Sequence, residues 1–373
     1  MNIPPVLPQQ ILHPGRIRFG WNTVKSLPEV CGGFGSRGVL VHGTSLNASG
    51  RLNEITENFN ASQTAVYPLL HSGGEPELRD IHRAVEFARI RDADWIAGAG
   101  GGSVMDLAKA AAGLVNAGGP LAKYQAGKLP EAKGIPFIAV PTTAGSGSEV
   151  TKNSVIINRD SQEKKSIRDD SFVAACVILD PALVCNSPAA VIAYSGMDAL
   201  TQAVESYLSI HATWLSDTLA LKAVELICEN LAFFFRKPDG APAERMLQGS
   251  FLAGAAFSMS RLGVVHGLAH PLGLFYDQPH GRVCAACLGP ALMLNRPFAE
   301  EKYRMLSDAA GGDLQEIVTA LNTQCGIESP FAGEKLIRED EIVRATLSSG
   351  STAANPKSVT EEDVRFLLAA IFK

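Results

Sequence analysis

Apolar and polar positions follow two regimes along this chain. In the first, short apolar runs of strand length alternate with segments of helical spacing. GVLVHGTS at 38–45 and TAVYPLL at 64–70 read as strands, and Leu52 to Phe59 between them as a helix. Glu75 to Arg91, with Leu78, Ile81, Val85, Phe87 and Ala88 apolar, predicts an amphipathic helix leading to a third strand, DWIAGA at 94–99. A buried strand opens IPFIAVPTTAGSGSEVTKN at 135–153, and ILDPALV at 178–184 closes the regime. Such alternation folds as a parallel, doubly wound sheet.

From Pro188 onward the strands stop. Apolar-periodic segments follow at 188–209, 215–235, 242–260, 282–295, 298–310, 313–323 and 360–372, all helical, and Thr360 with Asp363 reads as a capping box on the last. The expected architecture is an α/β dinucleotide-binding domain at 1–181 and an all-α domain at 182–373. At 373 residues the chain is long enough for two cores.

Charge and cysteine narrow the partners. The 33 basic and 38 acidic residues are mixed along the chain and leave a net charge of −5, with no basic stripe for nucleic acid and no polybasic membrane anchor. MNIPPVLPQQ has neither the cationic segment nor the apolar core of a secretory signal. Seven scattered cysteines predict reduced thiols and a cytoplasmic protein. Cys284 and Cys287 form a CxxC, but VCAACLGPALML reads as a buried apolar helix rather than a redox or zinc pair. A small-molecule partner is expected.

Two stretches carry cofactor chemistry. GAGGGSVMDLAKAAAG runs from Gly98 into an Ala-rich helix, where glycines admit a pyrophosphate close to the backbone and the helix amides favour its charge. Gly98-x-Gly100-x-x-Ser103 nearly matches the dinucleotide fingerprint but follows a later strand, and no acidic residue lies about 20 positions on to hold a ribose. A plain Rossmann dehydrogenase is therefore disfavoured. After the 135–153 strand, Thr142, Thr143, Ser146 and Ser148 offer hydroxyls to ribose and phosphate without crowding them.

Three further patterns carry the reaction chemistry. In SGMDALTQAVES at 195–206, Asp198 and Gln202 share a helix face; in VVHGLAHPLG at 264–273, so do His266 and His270. His280 follows in QPHGRV, between Pro279 and Gly281, as if on a turn. Oxygen and imidazole groups converging in this way can hold a divalent metal.

With these motifs in this order, from FGWN at 19–22 to AANPKSVTEEDV at 353–364, the chain resembles the iron-containing, or group III, alcohol dehydrogenases. The resemblance implies a dehydroquinate-synthase-like fold and a homodimer or larger assembly. It implies that Gly100, Gly101, Gly102, Ser103 and Asp106 bind the pyrophosphate and that Lys164 lies near the ribose hydroxyls, with Lys165 as rival. It also implies that iron or zinc is held by Asp198, His266 and His280, with position 202 as fourth ligand. That position is Gln202 where most of the family has His, a weaker donor that predicts lower affinity and altered metal choice. The family-like LVTD is LVHG here, with Gly43 in place of an acid that would repel a 2′-phosphate. NADP is therefore favoured over NAD, with His42, Thr44, Ser45 or Arg37 near the extra phosphate.

The reaction so implied interconverts a small primary alcohol and its aldehyde or ketone. The metal polarises the carbonyl oxygen, and His270 donates or relays the proton. The alternatives are a sugar-phosphate-cyclase-like lyase, which needs a basic cluster for substrate phosphate, and a homologue that binds cofactor but has lost its metal.

Overall fold

The computed structural model describes residues 5–161 and 163–373. It divides into two compact units, one of Leu12–Ser187 and one from Pro188 to the C-terminus with the segment ending at Ile11. The expectation put this boundary at residue 181.

Among the described residues the first unit carries eight strands: β1 Ile17–Phe19, β2 Arg37–His42, β3 Ala65–Leu70, β4 Trp95–Gly100, β5 Phe137–Pro141, β6 Asn153–Asn158, β7 Glu163–Arg168 and β8 Cys176–Leu179. Six form one parallel sheet in the order β1-β8-β5-β4-β2-β3, and β6 and β7 form an antiparallel pair. The chain runs from β2 out to β3 and returns past β2 to β4, so the strand order reverses between β2 and β4. In open α/β sheets the ligand crevice forms at the carboxyl ends beside such a reversal. Here those ends lead directly into Gly43 and Gly101.

Covered faces explain why the inner strands β2, β4, β5 and β8 are near-continuous apolar runs rather than alternating. Leu40, Ala97, Ala99, Ile138, Val140 and Ile178 lie in one core with Phe59 and Trp95, whose rings stack at 5.7 Å. Gly38 is required there, because a Cβ would stand 2.1 Å from the Trp95 ring. The sequence reading missed β1, too short at three residues to show a period, and the β6–β7 pair. Of the expected 178–184 strand, only Cys176–Leu179 is extended; Asp180 caps a short helix, Pro181–Val184.

The second unit is helical. Its main helices are Ala189–Leu208, Trp214–Arg236, Gly240–Ser260, Val264–Tyr276, His280–Asn295, Glu300–Ala310, Leu314–Gln324, Glu339–Leu347 and Glu361–Ile371. The Thr360–Asp363 capping box starts the last, as expected. Among the described residues no single helix is long and apolar enough to cross a membrane.

Candidate active site

In the α/β unit, β4 ends at Gly100 and the Gly102–Leu114 helix begins directly, with Gly101 as its N-cap. The glycines are sterically required. A Cβ at Gly100 would lie 2.6 Å from Val104, and one at Gly102 would lie 2.9 Å from the Ser146 side chain. The 142–148 loop is thereby closed onto the helix start, with the Thr142 amide donating to Gly100 O at 2.9 Å. Thr143, Ser146 and Ser103 are half-buried around this junction.

Asp106 and Ser148 turn inward. The Ser148 hydroxyl donates to Asp106 Oδ1 at 2.5 Å, and the Val155 amide donates to Asp106 Oδ2 at 3.0 Å. Beneath them lies Lys109, fully buried, whose Nζ donates to Ser148 O at 2.6 Å, Ser148 Oγ at 2.9 Å, Thr151 Oγ1 at 3.1 Å and Asn153 O at 2.6 Å. Burial lowers the Lys109 ammonium to about 8 despite the nearby Asp106 and Glu149 carboxylates. Burial likewise raises Asp106, against the pull of Lys109 and Ser148. Lys164 stands on β7, its Nζ paired with Glu75 at 2.8 Å.

Near Gly43, Ser45, Ser49, Arg51 and Thr142 line one surface depression. Arg37 does not belong there. It begins β2, at the opposite end of the strand from Gly43, where its amide donates to Asp94 and its guanidinium faces Asp92. His42 is buried, and burial lowers its imidazole.

In the helical unit, Asp198 and Gln202 lie one turn apart on the Ala189–Leu208 helix and are both buried. His266 and His270 lie one turn apart on the Val264–Tyr276 helix. His280 is the first residue of the next helix, behind Pro279, rather than part of a turn. Gly281 lets that helix start close on the first helix, since a Cβ there would lie 2.2 Å from Tyr194 O.

The side chains converge. His266 Nε2 stands 3.4 Å and His280 Nε2 3.8 Å from Asp198 Oδ1, and the His270 and His280 ring centres are 5.5 Å apart. Ligand atoms of Asp198, His266, His280 and Cys284 all lie within 4.8 Å of one another. On its far side, His266 Nδ1 donates to Glu205 Oε2 at 2.6 Å, while Glu205 Oε1 accepts from the Val265 amide at 2.6 Å. That bond directs Nε2 into the cluster, as the carboxylate partner of a metal-binding histidine does.

Burial opposes protonation of His266, but Asp198 and Glu205 outweigh it and raise the imidazole to about 9. Burial likewise opposes ionisation of Asp198, yet the His266 and His280 imidazoles and the Gln202 side chain hold its carboxyl below the ordinary value. Asp198 Oδ1 and His266 Nε2 are buried without a well-formed hydrogen bond, a costly arrangement unless something binds between them. The donor set is anionic oxygen and imidazole nitrogen, which suits a divalent metal.

Residues 14–181 match the family model for iron-containing alcohol dehydrogenase, and residues 192–372 match that for the family's C-terminal region. The chain belongs to the iron-containing alcohol dehydrogenase family. It is 31% identical to the lactaldehyde reductase of Escherichia coli (strain K12), over 88% of this chain and 90% of that protein. It is 34% identical to long-chain-alcohol dehydrogenase 1 of Geobacillus thermodenitrificans (strain NG80-2), over 97% and 96%. The solved sulfoacetaldehyde reductase of Bifidobacterium kashiwanohense, in complex with NAD+, superposes with a TM-score of 0.91 at 25% identity and covers 98% of both chains. The fold and enzyme class expected from the sequence hold: this family member is an oxidoreductase of alcohols and aldehydes with a nicotinamide cofactor. Neither the lyase nor the metal-deficient alternative is favoured.

Sequence reasoning missed three residues of this iron-containing alcohol dehydrogenase. Glu205 lies inside the quoted SGMDALTQAVES stretch, Lys109 follows Asp106 by three positions, and Cys284 follows His280 by four. In sequence, the CxxC spacing pairs Cys284 with Cys287 and hides its place beside His280.

Proposed function

We propose that this chain interconverts small aldehydes and primary alcohols with NADP(H) in preference to NAD(H), at a divalent metal held by Asp198, His266 and His280. The observation that carries the metal is the pair of buried atoms, Asp198 Oδ1 and His266 Nε2, aimed at one another 3.4 Å apart with Glu205 fixing the imidazole from behind. A divalent ion bound there supplies Lewis acidity toward a carbonyl oxygen.

The chain's own groups do the rest. Glu205 holds a proton of His266 on Nδ1, so that Nε2 is the nitrogen that gives up its proton and offers its lone pair to an ion binding beside Asp198. Gln202 contacts the Asp198 carboxylate and sets its orientation. His270, half-buried beside His280, gives the proton to the nascent alkoxide or takes it from the alcohol. In the α/β unit, the amides from Gly101 to Ser103 and the hydroxyls of Thr142, Thr143 and Ser146 bind pyrophosphate and ribose, with Lys164 toward the ribose hydroxyls. Asp106 and Ser148 act by holding that loop in shape.

The cofactor preference rests on Gly43, which places no carboxylate against a 2′-phosphate, and on Ser45, Ser49 and Arg51 in the adjoining depression. Arg51 is paired with Glu54 at 2.6 Å, so it would turn from a surface ion pair to the phosphate. Initial rates of NADPH and NADH oxidation with a series of short aldehydes, on metal-loaded protein, test the reading. Faster turnover with NADPH, and its loss in an Arg51→Ala variant, is the expected result. Preference for NADH overturns the cofactor assignment, and no oxidation with any aldehyde overturns the substrate class.

A further inference from the structure

We infer that the fourth metal ligand in this chain is the thiolate of Cys284, and that Gln202 serves the site by holding Asp198. The inference rests on the metal reading above. Its first support is position. Cys284 lies one turn after His280 on the His280–Asn295 helix, on the same face, and its Sγ is 3.6 Å from His280 Nε2.

Distances support it further. Donor atoms about 2.0–2.3 Å from a tetrahedral ion lie roughly 3.3–3.6 Å from one another. The sulfur–imidazole separation of 3.6 Å and the imidazole–carboxylate separations of 3.4 and 3.8 Å are close to those edges. Three of the six edges among Asp198, His266, His280 and Cys284 thus already have about the length such a site needs, and all four donor atoms lie within 4.8 Å of one another. Two of its members, Asp198 and His266, are more than nine-tenths buried and carry the atoms left without a well-formed hydrogen bond.

The chemistry of position 202 agrees. An amide is a poor ligand for a first-row metal, and the Gln202 side chain already interacts with the Asp198 carboxylate. Cys284 is fully buried beside the Asp198 carboxylate, where a bare thiolate is disfavoured. Binding therefore exchanges its proton: the S–H bond breaks, the proton passes to solvent and the sulfur–metal bond forms. One carboxylate and one thiolate then balance the two charges of the ion, where a carboxylate with three imidazoles leaves one uncompensated. A softer donor set of this kind favours zinc over iron.

Cobalt(II) titration of the metal-free full chain, followed by elemental analysis and absorption spectroscopy, tests the inference without recourse to activity. The expected result is one cobalt per chain, with visible bands of tetrahedral intensity and a sulfur-to-cobalt charge-transfer band in the near ultraviolet. That band should persist in Gln202→Ala and vanish in both Cys284→Ser and Cys284→Ala. One bound cobalt without the sulfur band, or a band that survives in Cys284→Ser, overturns the thiolate and leaves the metal reading standing. Cobalt lost from Gln202→Ala but retained by Cys284→Ser also overturns it, in favour of the amide. Failure of the unmodified chain to bind cobalt at all overturns both.

Discussion

In the α/β unit, the Lys109 ammonium is fully buried and reaches four oxygens, while its neighbours Asp106, Ser148 and Thr151 also bond within the group. In the helical unit, Asp198, His266, His280 and Cys284 are gathered as closely, yet Asp198 Oδ1 and His266 Nε2 are left without a well-formed bond. Both clusters are buried and charged and were drawn from motifs that look functional in sequence. They differ in whether the donors and acceptors close on themselves. A closed network rigidifies a loop, whereas an open one leaves donor atoms that a ligand can take. Satisfaction, rather than residue type, separates the closed network of the α/β unit from the candidate site of the helical one.

The largest test of the contrast is Lys109→Met. The variant keeps the side-chain length but leaves Asp106 buried without its cation. Breaking a buried charged pair from one side costs roughly 3–5 kcal/mol, so urea unfolding should show a loss of that size, with metal content per folded chain unchanged. Unaltered stability would mean that the network is not what holds the 142–148 loop. A smaller effect is expected on the other side. Glu205→Gln removes the carboxylate that aligns His266, and metal affinity should fall about 10–100-fold, read by competition with a chromogenic chelator. Unchanged affinity would show that packing alone orients the ring.

The parts legible in sequence were those with a period or a fixed spacing. Strands β2 to β5 are short apolar runs, with glycine following β2 and ending β4, and the helices of the second unit carry long apolar stripes and, in the last, a capping box. Strand β1 is too short to show a pattern, and β6 and β7 carry polar and charged positions that read as loop. The one-turn spacing of Asp198 and Gln202 was visible because both lie on one helix. Glu205 was not, because its partner His266 is 61 residues away in sequence and a chain of letters does not say which ring nitrogen meets which oxygen. Lys109 looked like an ordinary lysine in an Ala-rich helix. Its isolation among alanines was the signal, since a charge inside such a helix must find partners elsewhere. Arg37 was misjudged for a related reason: a residue close to Gly43 in number lies at the far end of the strand that separates them.

Ser148 gives the smallest effect and the sharpest division between scaffold and site. The sequence placed its hydroxyl on the cofactor, whereas here it donates to Asp106 Oδ1 and accepts from Lys109. In Ser148→Ala, Asp106 keeps the Val155 amide at 3.0 Å and Lys109 keeps Ser148 O, Thr151 Oγ1 and Asn153 O. The loss should therefore be that of a single hydrogen bond, roughly 1 kcal/mol in urea unfolding, with dinucleotide affinity by fluorescence titration changed less than about threefold. The opposite pattern, full stability with affinity down tenfold or more, would mean that the hydroxyl turns outward to the cofactor. Asp106 and Lys109 would then have to find each other directly, closing the 3.8 Å gap that now separates them.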